Sequence, residues 1–257
     1  MKRKSRFNLT GTSFAVALTI LMEICAREGW LTSYVPPPSV IFVAMWNGLF
    51  NGDISSQIGT TLSVYVRALF LGSALAISLG ILMGAYRPVY DAFKMIIEFM
   101  RPVPSGATIP PAILFFGLGA EMRIYVITYA VFWPMLINTL YGVRAIDPQA
   151  LDVARNFGIK GREALLRVTL PSSIASIATG FRISASIALI VTITVELVAG
   201  NSGIGFYISQ MEQADRLPPM YAAIILTGIM GFALNALYVE LERRFVFWTP
   251  AARDAAS

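Results

Sequence analysis

Long apolar runs alternate with short gaps rich in basic residues along nearly the whole chain. The runs are apolar all round, unlike the alternation of a half-buried strand or the single stripe of a soluble helix. Several approach the roughly 20 residues that a helix rising about 1.5 Å per residue needs to cross a bilayer. Six spans are predicted. The first covers Leu9 to Ala26, with Glu23 near its far end. The second covers Leu62 to Tyr86, with Arg67 close enough to one end to snorkel into the interface.

The third span is irregular. "YDAFKMIIEFM" reads as helix, with Lys94 and Glu98 at i, i+4, but "RPVPSGATIPP" interrupts it before "AILFFGLG". Pro102, Pro104, Pro110 and Pro111 each remove a backbone donor, so the span must kink or restart. A broken backbone inside lipid is tolerated where it packs on protein or lines a wet cavity, and both readings stand. The fourth span is Ile124 to Val143, with Pro134 in "FWP" repeating the kink argument; the fifth starts after Pro171 and ends near Ala199; the sixth is Tyr221 to Val239. The segment Tyr34 to Val40, "YVPPPSV", reads as an extended external link. It separates residues 1–55, a peripheral first helix plus link, from a core over 56–243, which a tail over 244–257 follows, with Trp248 as an aromatic belt residue.

Composition agrees with the pattern. The chain is 56% hydrophobic and 14% charged, where soluble domains carry about 25% charged residues. Too little polar surface is available to cover a soluble core of this length, so the class is an all-α integral membrane protein. The net charge of +5 sits in the gaps between spans and orients the chain instead of marking a nucleic-acid binder. With the N-terminus inside, Lys2, Arg3, Lys4, Arg6, Arg87, Lys94, Arg144, Arg155, Lys160, Arg162, Arg167, Arg243, Arg244 and Arg253 all fall on the cytoplasmic side. Arg27, Arg123 and Arg216 fall outside, and both termini are expected in the cytoplasm.

The chain has no His and one Cys, which removes His relays, HExxH zinc sites, CxxC redox pairs and any intrachain disulfide. No catalytic, metal or cofactor-binding residue is expected. "LMEI" before Cys25 argues against a lipoprotein signal, and a cleaved secretory signal at "MKRKSR" to "FAVALTILMEICA" competes with the favoured uncleaved first helix.

The one sizeable charged loop, "DVARNFGIKGREALLRVTLPSS", lies between the fourth and fifth spans. Asp147 is placed to cap a helix, Pro148 fits its first position and Gly158 is a natural stop. Leu151, Ala154 and Phe157 follow one face at i, i+3 and i+6, while Asp152 and Arg155 stay wet. "REALLRVTL" is a second short helix that Pro171 closes. Such a hairpin on the membrane surface would present a small apolar ridge to the groove of a soluble partner; the other reading packs the ridge on its own bundle.

Ala154, three residues, Gly158, nine residues, Val168, one residue and then Leu170-Pro171 resembles the signature loop of ABC importer membrane subunits, Glu-Ala-Ala, Gly, Ile-x-Leu-Pro. Asp152 and Val153 stand where that family has Glu and Ala, keeping charge and apolar character respectively. "GFRISASIALIVTITVELVAGNSGIGFYI", "RPVPSGATIPPAILFFGLG" and "LERRFVFW" resemble regions of its nitrate, sulfonate, taurine and bicarbonate branch, in order. The resemblance implies a type I importer-like transmembrane domain in a bacterial-type inner membrane, working as a dimer, with a homodimer favoured. It further implies an external solute-binding protein and two ATPase subunits that grip Leu151, Asp152, Val153, Ala154, Phe157 and Gly158 as a coupling helix. Small oxyanions or sulfonates are the implied solutes, with vitamin precursors as an alternative within the same importer type. The sequence has no G-x-x-x-x-G-K-[ST], so any ATP is bound by another chain.

Two charges fall in the fifth span. Arg182 and Glu196 share a helix face but stand about 21 Å apart along the axis, which excludes a direct pair. Arg182 can snorkel from its end of the span or line the pathway. Thr192, Thr194, Glu196 and Asn201 can line an outer gate; the reading favoured for Glu196 is that it ties down the adjacent "AGNSGIG" loop, since a carboxylate in the path repels an anion. An ion-coupled carrier is the competing function, yet membrane acids are few and no repeat shows. A membrane enzyme lacks the His of a Ser-His dyad and any acid cluster for metal.

Overall fold

The computed structural model describes residues 9–30 and 32–245. Lys2, Arg3, Lys4 and Arg6 of the basic leader, and Trp248 and Arg253 of the predicted tail, lie outside the described residues. Among the described residues every regular element is helical: α1 Leu9–Arg27, α2 Pro38–Phe50, α3 Asp53–Ala85, α4 Arg87–Met100, α5 Ile109–Phe116, α6 Ala120–Arg144, α7 Pro148–Asn156, α8 Gly161–Ala164, α9 Leu170–Ala199, α10 Ile204–Gln213 and α11 Leu217–Phe245. Four runs among the described residues are long and apolar enough to cross a membrane: Asp53–Ala85, Ala120–Arg144, Gly161–Gln213 and Leu217–Arg244.

Helices α3, α6 and α9 form the packed heart around Tyr65, Leu69, Val131, Ala185 and Ala188. In lipid, close packing replaces water exclusion as the source of helix affinity, and small residues allow the approach. Gly72, Gly80 and Gly84 of α3 face Val131, Thr139 and Val143 of α6 along one seam, and a Cβ at Gly84 would collide with Val143. A second cluster, Ile41, Ile54, Ile204, Ile208, Ala222 and Ala223, ties α2, the start of α3, α10 and α11 together. The contacts run α3 parallel to α6 and antiparallel to α9, so α7 and the ends of α3 and α6 share one end of the bundle, here the loop end.

Several elements differ from expectation. The segment read as an extended link starts a helix at Pro38, because proline pre-sets the first helical turn before "VIFVAMW". The second span begins at Asp53, nine residues before Leu62, so Arg67 lies inside α3 and is not near its end. The third span is two helices, α4 and α5, joined by a 3-10 turn over Ser105–Thr108 at the prolines. Pro171 does not close a helix: α8 passes through a π-turn, Leu165–Thr169, directly into α9. A wide turn shifts the hydrogen-bond ladder and accommodates a residue that cannot donate.

Candidate functional site

At the loop end, α7 forms as its local signals dictate. The Asp147 carboxylate accepts from the Gln149 N–H at 2.9 Å, and Pro148 opens the helix. Gly158 takes φ +81, and Ile159 N–H donates to the Ala154 carbonyl at 3.0 Å, satisfying a terminal carbonyl in the left-handed stop. The exposed face shares only Phe157 with the expected ridge. Ala154 is buried at 6% exposure, and Leu151 lines a cleft with Gly84, Val143 and Ile146 of its own subunit. Val153 and Phe157 are the apolar side chains left open, at 54% and 81% exposure, flanked by an exposed Arg155–Asp152 pair at 3.0 Å. Of the expected ridge, Phe157 stands open while Ala154 packs inward and Leu151 lines the cleft, because periodicity alone does not say which side meets the bundle. Of the signature tail, Val168 lies in the π-turn, half-buried; Leu170 and Pro171 open α9.

The opposite end holds a buried charge cluster. Glu196, fully enclosed, accepts from Arg123 Nη1 at 3.2 Å, Thr61 Oγ1 at 2.8 Å and the Gly205 N–H at 3.1 Å. Arg123 also donates to the Ser202 carbonyl at 2.8 Å and to Ser202 Oγ at 3.0 Å. Gln57 accepts from the Gly203 N–H at 2.7 Å, and Thr61 accepts from the Ile204 N–H at 2.8 Å. The carboxylate thus holds the turn between α9 and α10, and Arg123 is internal to the bundle instead of a rim charge. Sequence reasoning missed Arg123 as the counter-ion; the available signal was a basic residue near the end of a span where an acid stands near the end of another.

The other proposed pathway residues scatter. Thr192 is buried and donates to its own helix at Ala188 O, 2.6 Å; Thr194 is exposed and donates to Ile190 O, 2.8 Å; Asn201 is exposed beside Ser202. Arg182 and Glu196 pair elsewhere, and Arg182 meets Glu242 of α11 at 3.1 Å.

Among the described residues the chain is an all-helical bundle with four long apolar runs and a capped surface helix at one end, the architecture of a multi-pass membrane protein. Residues 72–247 match the family of binding-protein-dependent transport system inner membrane components. An ABC transporter permease protein of Methanocaldococcus jannaschii is 35% identical over 238 residues, covering 92% of this chain and 89% of the relative. An aliphatic sulfonates transport permease protein of Bacillus subtilis is 29% identical over 243 residues, covering 93% and 87%. Among solved structures, inward facing conformations of the MetNI methionine ABC transporter superpose with a TM-score of 0.63 over 72% of this chain and 92% of that one. At 16% identity that likeness speaks to the fold. The chain belongs to the binding-protein-dependent transport system inner membrane component family. It is a permease subunit of an ABC importer, a transport protein and not an enzyme, and its family works in general with ATPase and binding-protein partners.

Proposed function

We propose that this permease imports a small oxyanion or sulfonate, of the nitrate, taurine or alkanesulfonate class, as a six-span subunit paired with a second copy of itself. Two cytoplasmic ATPase subunits grip α7, an external binding protein delivers the solute, and this chain binds no cofactor of its own. The observation that carries the coupling role is the exposure of Val153 and Phe157 on a helix otherwise anchored by Ala154. An anchored helix with an open apolar edge transmits force between a partner groove and the bundle. Similarity to a sulfonate permease supports the solute class. The concentration of Arg87, Arg144, Arg155, Lys160, Arg162 and Arg167 at the loop end supports a cytoplasmic placement of that end, hence of both termini, in a bacterial-type inner membrane.

The test is purification and uptake. The ATPase subunits co-purify with the wild type and are lost from a V153N/F157S variant, and uptake follows ATP while ignoring collapse of the proton gradient. Uptake that follows the gradient identifies an ion-coupled carrier and ends the proposal.

A further inference from the structure

Arg144, the last residue of α6, stands where three helices meet. Its Nη2 donates at 3.2 Å to the carbonyl of Met83 in the last turn of α3, one of the terminal carbonyls that a helix leaves without a backbone donor. Its guanidinium carbon lies 3.6 Å from the centroid of the Tyr90 ring in α4, within the range of a cation–π contact. The cation also sits at the C-terminal ends of two helices, α3 and α6, whose dipoles favour it there. One side chain thus ties the base of α4 to α3 and α6.

Helix α4 depends on such contacts. It has no fully buried side chain, and it rests on the bundle through half-buried Val89, Tyr90 and Ile97. Its far end is pinned by the Tyr129 hydroxyl, which donates to the Met100 carbonyl at 2.8 Å. Both ends are joints. Tyr86 before it is extended, with φ −121 and ψ 110, and Pro102 and Pro104 follow it. A helix with few buried contacts, set between two joints, is free to swing as a rigid arm.

The same corner supports α7. Leu151 shares its cleft with Gly84, Ala85 and Tyr86 at the junction of α3 and α4, and with Val143 and Ile146 at the end of α6. Ala145, Ile146 and Asp147 alone separate Arg144 from the first residue of α7. We propose that Arg144 is a positioning residue for transport, whose contact with Tyr90 carries a displacement of α7 into α4. This rests on the reading of α7 as the helix that the ATPase subunits grip. A pull on α7 reaches Arg144 through a short link. The ring contact passes it to α4, which swings about Tyr86 and the prolines.

The experiment uses the permease assembled with cysteine-free ATPase subunits in lipid nanodiscs, and needs no transported solute. A C25S/M95C background carries one bimane label on α4, since Cys25 is the chain's one cysteine and Met95 is exposed. Trapping the ATPase subunits with ATP and vanadate shifts the emission of this parent. R144Q and Y90L each lose most of the shift, and Y90F keeps it, because a phenyl face holds the guanidinium as the phenol ring does. The R144Q/Y90L double variant loses no more than either single one, as two halves of one contact require. A shift of parental size in Y90L or R144Q overturns the role of Arg144, as does a parent whose label does not respond. Should R144Q fail to assemble, Y90L and Y90F decide, because both leave Arg144 in place. F157S separates this proposal from the reading beneath it. An F157S complex that keeps its ATPase subunits overturns the grip on α7 and the Arg144 link with it. Loss of those subunits from F157S, together with an undiminished shift in Y90L, overturns the Arg144 link alone.

Discussion

Arg123 of α6 and Glu196 of α9 meet at 3.2 Å with 2% and 0% of their surfaces exposed. Desolvating two ions costs several kcal/mol each, and the loss is offset only where geometry and further hydrogen bonds are good. Here Thr61, Gly205 and Ser202 supply them. The pair therefore fixes the turn that begins α10 to two helices at once.

Breaking the pair strands a buried charge. R123L or E196L alone lowers stability by about 3–5 kcal/mol, while the double variant loses less than the two losses added, because neither charge is left behind. Thermal unfolding of the purified subunit in detergent measures all three. Single variants that melt with the wild type would show that the two charges find water.

Gly203 lies against the same carboxylate with φ +101, and a Cβ there would overlap the Glu196 carboxylate. G203A therefore disrupts the cluster by strain and by displacement together. It is expected to unfold at a lower temperature than G59A, a glycine with open space around it in α3. Equal midpoints for G203A and the wild type in the same detergent would show that the carboxylate can move aside.

The loop helix was legible in the sequence because its signals are local: Asp147, Pro148 and Gly158 act on their immediate neighbours. The face it presents was not, since Ala154 packs on the bundle through tertiary contact. Arg123 and Glu196 are 73 positions apart, and no pattern along one helix relates them. The helix at Pro38 was missed for a different reason: three successive prolines suggest extended chain, yet the last of them starts a helix.

Arg182 and Glu242 join α9 to α11 at 3.1 Å, but their side chains are 40% and 25% exposed. Pairs reached by solvent contribute at most about 1 kcal/mol. R182Q is expected to shift stability by no more than that, well below R123L. Urea unfolding curves at low and high salt measure both effects, and the R182Q difference shrinks as salt rises. A loss in R182Q as large as in R123L would show that Arg182 is held as tightly as the buried arginine.

Helix α7 separates stability from coupling. Val153 and Phe157 touch solvent and Ala154 does not. F157S is expected to leave the melting temperature close to wild type, since exposed substitutions change stability by about 0.5 kcal/mol or less, while the ATPase subunit no longer co-purifies. A154L does the reverse, overpacking the anchor at a cost of about 1–3 kcal/mol. Gly158 tests the turn itself. Its φ of +81 disfavours any side chain, although nothing lies within 4 Å of an added Cβ. G158R therefore costs about 1–2 kcal/mol of backbone strain, inserts normally and fails to transport, because the strained stop reorients α7 away from its partner. Membrane fractionation with an uptake assay reads both halves. A G158R subunit that reaches the membrane and transports at the wild-type rate would show that the register of α7 plays no part in coupling.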